Sequence, residues 1–198
     1  MKDMASVMEG FAAHVDHALG AHLLLVGPAV TGVADDPEAA EVLGDCMRRW
    51  QRLPHAARTR VHLACTPMAD PDEQAGMVNA IQRHATVVVQ KSLAEGFGLT
   101  VAEAMWKQRP VVASAVGGIR DQIEDGVSGL LLDDPSDLPA FGAAVERLLR
   151  DPALAERVGI EAHARAAERF LPDRHLEQYA ALLLAIAPPR RGETRCRT

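Results

Sequence analysis

Residues Gln90–Glu103 read Gln-Lys-Ser-Leu-Ala-Glu-Gly-Phe-Gly-Leu-Thr-Val-Ala-Glu. Just upstream, Ala85–Val89 is a short apolar run rich in β-branched residues, the pattern of a buried strand. Just downstream, Leu99–Lys107 is helix-forming. Gly96 and Gly98 interrupt both patterns, so the succession is strand, glycine loop, helix. Such a loop lets backbone N–H groups approach a ligand closely, and the amino end of the helix adds a positive dipole suited to phosphate. Two carboxylates, Glu95 and Glu103, bracket the loop. Beside a phosphate site they make chemical sense once the ligand also carries hydroxyls, because a carboxylate accepts two hydrogen bonds and suits the vicinal diol of a ribose or hexose. A diphosphate flanked by two sugars, a nucleotide-sugar, would use every part of the stretch.

Working outward, strand and helix alternate from residue 4 to about 132. Asp3 and Ser6 open a helix whose apolar face carries Met4, Val7, Met8, Phe11, Val15 and Ala18, with Gly20 as its stop. Residues 21–26 read as a buried parallel strand ended by Gly27-Pro28. A loop through Thr31 and Gly32 leads to a helix over Pro37–Arg52 with Asp36 as N-cap and Pro37 at the first helical position. Arg60–Cys65 is the second strand, Asp70-Pro71 opens a helix to about Arg83, and Ala85–Gln90 is the third strand. Pro110–Ser114 and Gly129–Leu132 are further strands, separated by a short helix over Gly117–Glu124. Beyond Pro135 the chain is wholly helical, over about 138–150, 152–169 and 172–186, with Asp151-Pro152 and Leu171-Pro172 at the breaks. The fold class is therefore α/β: a single Rossmann-like, doubly wound parallel sheet closed by C-terminal helices. In such sheets ligands sit at the carboxyl ends of the strands, so the glycine loop and the Gly117-Gly118 pair share one rim.

The 198 residues suffice for one such domain and are too few for two of usual size. A net charge of −6 argues against a general nucleic-acid binder. No apolar run approaches the ~20 residues of a membrane span, and the amino terminus lacks a signal-peptide core. Cys46, Cys65 and Cys196 are far apart without a Cys-x-x-Cys, as expected of reduced thiols in a cytoplasm, two of them buried and one in the tail. Eight histidines raise the question of a metal. His14 and His17 fall three apart on one predicted helix, but no acidic or third ligand is spaced to join them, so the expectation is no metal. Residues 188–198, with two prolines and four arginines, have the composition of a disordered tail.

The residues Glu95-Gly96-Phe97-Gly98-Leu99, Glu103-Ala104, Pro110-Val111-Val112-Ala113, Gly117-Gly118 and Glu124-Asp125-Gly126-Val127-Ser128-Gly129-Leu130 resemble the signature of retaining nucleotide-sugar glycosyltransferases of the GT-B type, glycosyltransferase family 4. Gln90-Lys91-Ser92, Trp106-Lys107 and Gly117-Gly118-Ile119-Arg120 look like the trehalose synthases of that family, which transfer glucose from a nucleotide-glucose onto glucose. The resemblance runs from Lys2 to about Leu184 and implies the C-terminal, donor-binding half of a two-domain transferase. It assigns residues 1–187 to the nucleotide-sugar domain. The acceptor-binding N-terminal half, the first strand of the donor domain and an arginine that partners Lys2 at the diphosphate would all lie upstream of residue 1. It also implies that the last helix, Pro172–Ile186, exposes apolar surface meant for the other half.

By the same resemblance, Glu95 contacts the donor hexose in the catalytic site. Phe97, Gly98, Leu99 and Thr100 bind sugar hydroxyls and the distal phosphate through backbone N–H groups, Lys2 neutralises the diphosphate, and Glu103 takes the ribose. Lys91, Gly118 and Arg120 are further candidates on the rim, although Lys91 and Lys107 read first as surface residues. Glu103 has a local alternative, because Thr100-x-x-Glu103 is a capping box. No cofactor is expected, the nucleotide-sugar being a substrate bound without metal. The partners are that donor, ADP- or UDP-glucose, and a sugar acceptor held by the other half, with a homodimer left open. A phosphorylase of the same fold and a non-catalytic nucleotide-sugar binding module remain as alternatives. A dinucleotide oxidoreductase does not fit, since no Gly-x-Gly-x-x-Gly follows the first strand.

Overall fold

Aspartate–proline pairs set two helix starts among the described residues, because proline tolerates the first helical turn and the aspartate oxygen satisfies its free N–H groups. Asp70 Oδ1 accepts from Asp72 and Glu73 N–H at 2.9 and 3.3 Å, and Asp151 accepts from Leu154 N–H at 2.9 Å. In the computed structural model, which describes residues 2–29, 37–67 and 70–186, the order is α1 (Met4–His14), β1 (Leu23–Pro28), α2 (Pro37–Arg52), α3 (His55–Arg58), β2 (Val61–Thr66), α4 (Pro71–His84) and β3 (Val88–Gln90). There follow α5 (Leu99–Trp106), β4 (Val111–Ser114), α6 (Ile119–Gln122), β5 (Leu130–Leu132), α7 (Leu138–Arg150), α8 (Pro152–Arg169) and α9 (Pro172–Ile186). The expected Asp36 cap, the Thr31–Gly32 loop, Cys196 and the 188–198 tail lie outside the described residues.

All strand pairs are parallel. Among the described residues they form two sheets rather than the single one expected: β1 with β2, and β3–β4–β5 with β4 in the centre. The edges of β1 and β3 away from these partners carry no strand among the described residues. Both sheets nevertheless contribute to one apolar cluster, in which Leu23, Leu25, Val61, Val112, Leu130 and Leu132 pack on Val7, Met8 and Phe11 of α1 and Phe141, Val145 and Leu148 of α7. The opposite face of β4, Val111 and Ala113, packs on Val101, Ala104 and Met105 of α5 and Ala162 and Ala166 of α8. β4 is thus buried on both faces, which is why its sequence is uninterrupted Val-Val-Ala rather than alternating.

Four boundaries differ from expectation for local reasons. The third strand begins at Val88, not Ala85, because Ala85 closes α4 by donating its N–H to Ile81 O at 3.0 Å. The first helix ends at His14. Val15 is extended, and a 3-10 turn over His17–Leu19, capped by Asp16, ends at Gly20 in the left-handed region, so His14 and His17 do not share a helix. β1 alternates, with Leu23 and Leu25 buried and Leu24 45% exposed. The α3 turn, following Pro54, had no counterpart in the sequence pattern. On α9, Leu176, Tyr179, Leu182, Leu183, Leu184 and Ile186 are exposed. No helix among the described residues is long and apolar enough to cross a membrane.

Candidate functional site

The rim is built by two glycine loops pressed backbone to backbone. Gly117, after β4, has φ +50, and a Cβ there would sit 1.8 Å from Glu95 O, in the loop after β3. A Cβ on Gly118 would sit 2.7 Å from Gly96 O, which instead accepts the Gly118 N–H at 2.7 Å. Only glycine permits this approach and this φ together. Fully buried Gln122 on α6 then donates its amide to Phe97 O, tying the two loops again. Gly98 starts α5 from the left-handed region, φ 88, without a side-chain cap. The N–H groups of Leu99 and Thr100 make no hydrogen bond within the described residues, so the amino end of α5 presents free donors and its positive dipole to the rim.

The start of the chain reaches the same place. Lys2 pairs with Ser92 in an isolated antiparallel bridge, and its ammonium donates to Thr100 Oγ1 at 3.4 Å, beside those free donors. Lys91 corrects its surface reading. Its side chain is fully buried and donates to Asp3 Oδ2 at 2.6 Å, while Asp3 N–H donates to Lys91 O at 3.0 Å. The amino end of α1 covers it and supplies the counter-ion. Lys91 therefore anchors Lys2 rather than facing the rim. Burial raises the Asp3 carboxyl, but the Lys91 ammonium and the bonds at Ser6 outweigh it and hold the group below the ordinary value.

Both carboxylates flank the loop. Glu95 is half-buried, with Oε2 accepting from the Gln90 amide at 3.3 Å and the Ser92 hydroxyl at 3.5 Å, and Oε1 accepting its neighbour Gly96 N–H at 3.3 Å. Buried Gln90 also donates to Ser92 Oγ at 3.0 Å, and Ser92 N–H donates to Ser114 Oγ at 3.1 Å, so the loop's carboxylate rests on a polar floor. The capping box does not form: Gly98, not Thr100, is the N-cap. Exposed Glu103 instead accepts from the Gln82 amide of α4 at 3.3 Å.

Phe97 is 46% exposed and meets Phe170 edge-on at 6.0 Å between ring centres. Leu99, at the start of α5, is exposed. Arg120 is exposed and donates its Nε to Ala115 O, which holds it against its own loop. Lys107 is half-buried, not on the open surface, and donates to the Gln82 carbonyl. Sequence reasoning passed over Asp3, Gln82 and Ser114 as site residues. None has a motif signal, because each acts through a partner distant in the chain. Cys65 is exposed, against its expected burial, while Cys46 is buried. Among the described residues no group of three or more His, Cys, Asp or Glu side chains is arranged to hold a metal ion.

Residues 72–165, from α4 to α8, match the family described as glycosyl transferases group 1. Trehalose synthase from Thermococcus litoralis is 48% identical over 109 residues, 54% of this chain and 25% of that protein, so the chain matches about a quarter of this relative's length. Among solved structures, sucrose-phosphate synthase from Thermosynechococcus elongatus superposes with a TM-score of 0.66 at 28% identity, covering 93% of this chain and 44% of the other. The C-terminal domain of the group 1 family glycosyl transferase LpcC from Francisella tularensis gives 0.70 over 86% of this chain and 80% of that one, and at 19% identity it speaks for the fold. Residues 72–165 are thus similar to glycosyl transferases group 1, and they sit within a fold built as a Rossmann-like half of the GT-B type.

Proposed function

We propose that residues 1–187 form the donor-binding half of a retaining hexosyltransferase. It holds ADP-glucose or UDP-glucose and passes the glucose to a second glucose, giving trehalose. The observation that carries this reading is a convergence at one rim: the free amino end of α5, the Lys2 ammonium 3.4 Å from Thr100 Oγ1, and the Glu95 and Glu103 carboxylates on either side. The relatedness to trehalose synthase over 109 residues supports the choice of donor and acceptor.

In this reading Glu103 accepts the ribose hydroxyls and Glu95 the hydroxyls of the donor hexose. The diphosphate lies against the backbone N–H groups from Phe97 to Thr100, with Lys2 as its cation. Arg120 and Gly118 shape the far side of the loop. The bond from the anomeric carbon to the phosphate oxygen breaks, and the leaving charge is stabilised by the helix terminus and the ammonium. The acceptor hydroxyl bonds to the anomeric carbon on the face the phosphate leaves, and its proton passes to the departing phosphate oxygen. No metal and no carboxylate nucleophile is required. The acceptor site belongs to a further half outside these residues, and the reaction suits a cytoplasm.

The test is a segment swap, with this chain replacing the matching segment of the Thermococcus litoralis trehalose synthase. The expected result is trehalose from glucose and a nucleotide-glucose without added inorganic phosphate. A folded, nucleotide-binding chimera that makes none, or makes it only with phosphate, would overturn the proposal.

A further inference from the structure

Gln82, on α4, is 6% exposed. A buried primary amide must place both its carbonyl and its NH2 against partners. Here the carbonyl oxygen accepts from the Lys107 ammonium, and the NH2 donates to Glu103 Oε2 at 3.3 Å. An ammonium only donates and an ionised carboxylate only accepts, so the amide has one permissible orientation. Turning it over would set NH2 against ammonium and carbonyl against carboxylate. Glu103 and Lys107 stand four apart on and just after α5, the spacing at which glutamate and lysine usually pair directly. Among the described residues they form no ion pair within 4.0 Å, and the Gln82 amide links them instead. Burial draws the Lys107 ammonium below its ordinary value, with the Glu103 charge working against that loss.

Glu103 is otherwise an exposed side chain with several accessible rotamers, and an exposed glutamate is a poor ligand until it is held. We propose that Gln82 is a positioning residue: it fixes the Glu103 carboxylate in the rotamer that receives the ribose diol, and Lys107 fixes the amide that does so. This rests on the reading of Glu103 as the ribose ligand. A diol needs both carboxylate oxygens aimed at it; Gln82 occupies one lone pair of Oε2, which leaves the second lone pair of Oε2 and the whole of Oε1 to accept the two hydroxyls.

The experiment is calorimetric titration of the whole chain with the tighter-binding of ADP and UDP and with its 2′,3′-dideoxy analogue. Unfolding of a variant lowers both affinities alike, so their ratio reports the ribose contact and not stability. The wild type should prefer the ribonucleotide by about tenfold or more, the worth of one hydrogen bond to a charged group. Gln82→Leu, which keeps volume and removes the amide, should cut that preference to below about threefold, and Lys107→Met, which frees the amide to turn, should fall between. An undiminished preference in Gln82→Leu overturns the positioning role while leaving Glu103 as ligand. If Gln82→Leu does not fold, an undiminished preference in Lys107→Met overturns it in the same way. A wild type with no ribose preference overturns the Glu103 assignment beneath it.

Discussion

Lys91→Met removes a charge that has no access to water and leaves Asp3 without its counter-ion. The Lys91 side chain is 0% exposed and that of Asp3 16%. Removing one partner of a buried ion pair costs about 3–5 kcal/mol. The low end, about 3 kcal/mol, applies because Asp3 keeps some hydration and its N-cap bond from Ser6 N–H at 3.3 Å. At roughly 2–4 °C per kcal/mol for a chain of this size, the midpoint should fall by about 6–12 °C. Asp3→Asn should cost a comparable amount by stranding Lys91, and the double variant should cost clearly less than the sum of the two. The pH dependence has a definite sign. The folded Asp3 carboxyl lies below its ordinary value of 3.8, so its contribution is complete above that value and is lost as pH falls through the folded one. The stability gap between wild type and Asp3→Asn, measured by urea denaturation, should hold from neutral pH to about pH 5 and shrink below about pH 4. A Lys91→Met variant within about 0.5 kcal/mol of wild type, the range of ordinary surface changes, would show that the pair is not buried as described.

Gly117→Ala should disrupt the rim, since a Cβ would stand 1.8 Å from Glu95 O at φ +50. The left-handed conformation alone costs about 1–2 kcal/mol, and relief of the clash must displace the Glu95 loop, so both melting temperature and nucleotide affinity should drop. An unchanged affinity would separate the two loops functionally. Glu103→Ala should weaken nucleoside diphosphate binding by about 1.5–3 kcal/mol without unfolding α5, and calorimetry showing unchanged affinity with a lowered melting temperature would make it a purely structural residue. Glu95→Gln, in an active chimera, should reduce turnover more than nucleoside diphosphate affinity; equal losses would remove Glu95 from the donor sugar.

The helices were the most legible part of the fold. Asp70-Pro71 and Asp151-Pro152 announce their caps locally, and α7, α8 and α9 begin and end where the breaks place them. The placement of the glycine loop between strand and helix was legible for the same reason, since Glu95, Gly98 and Glu103 lie within a few residues of one another. Long-range partners were not. Nothing near Lys91 signals that Asp3, far back in the chain, will bury and neutralise it, and nothing near Glu103 points to Gln82. The capping box failed because Gly98 enters α5 from the left-handed region and takes the N-cap position before Thr100 can. The single sheet was inferred from alternation, which orders strands along the chain but carries no information on which edges pair.

The central claim is that this rim binds a nucleoside diphosphate through the amino end of α5. Calorimetric titration of the purified chain with ADP and UDP, beside adenosine and uridine, tests it most directly. The account predicts that a diphosphate binds at least about tenfold more tightly than its nucleoside, because two charged phosphates meet free helix N–H groups and the Lys2 ammonium. Equal binding of nucleoside and diphosphate, or no binding of either, would contradict it.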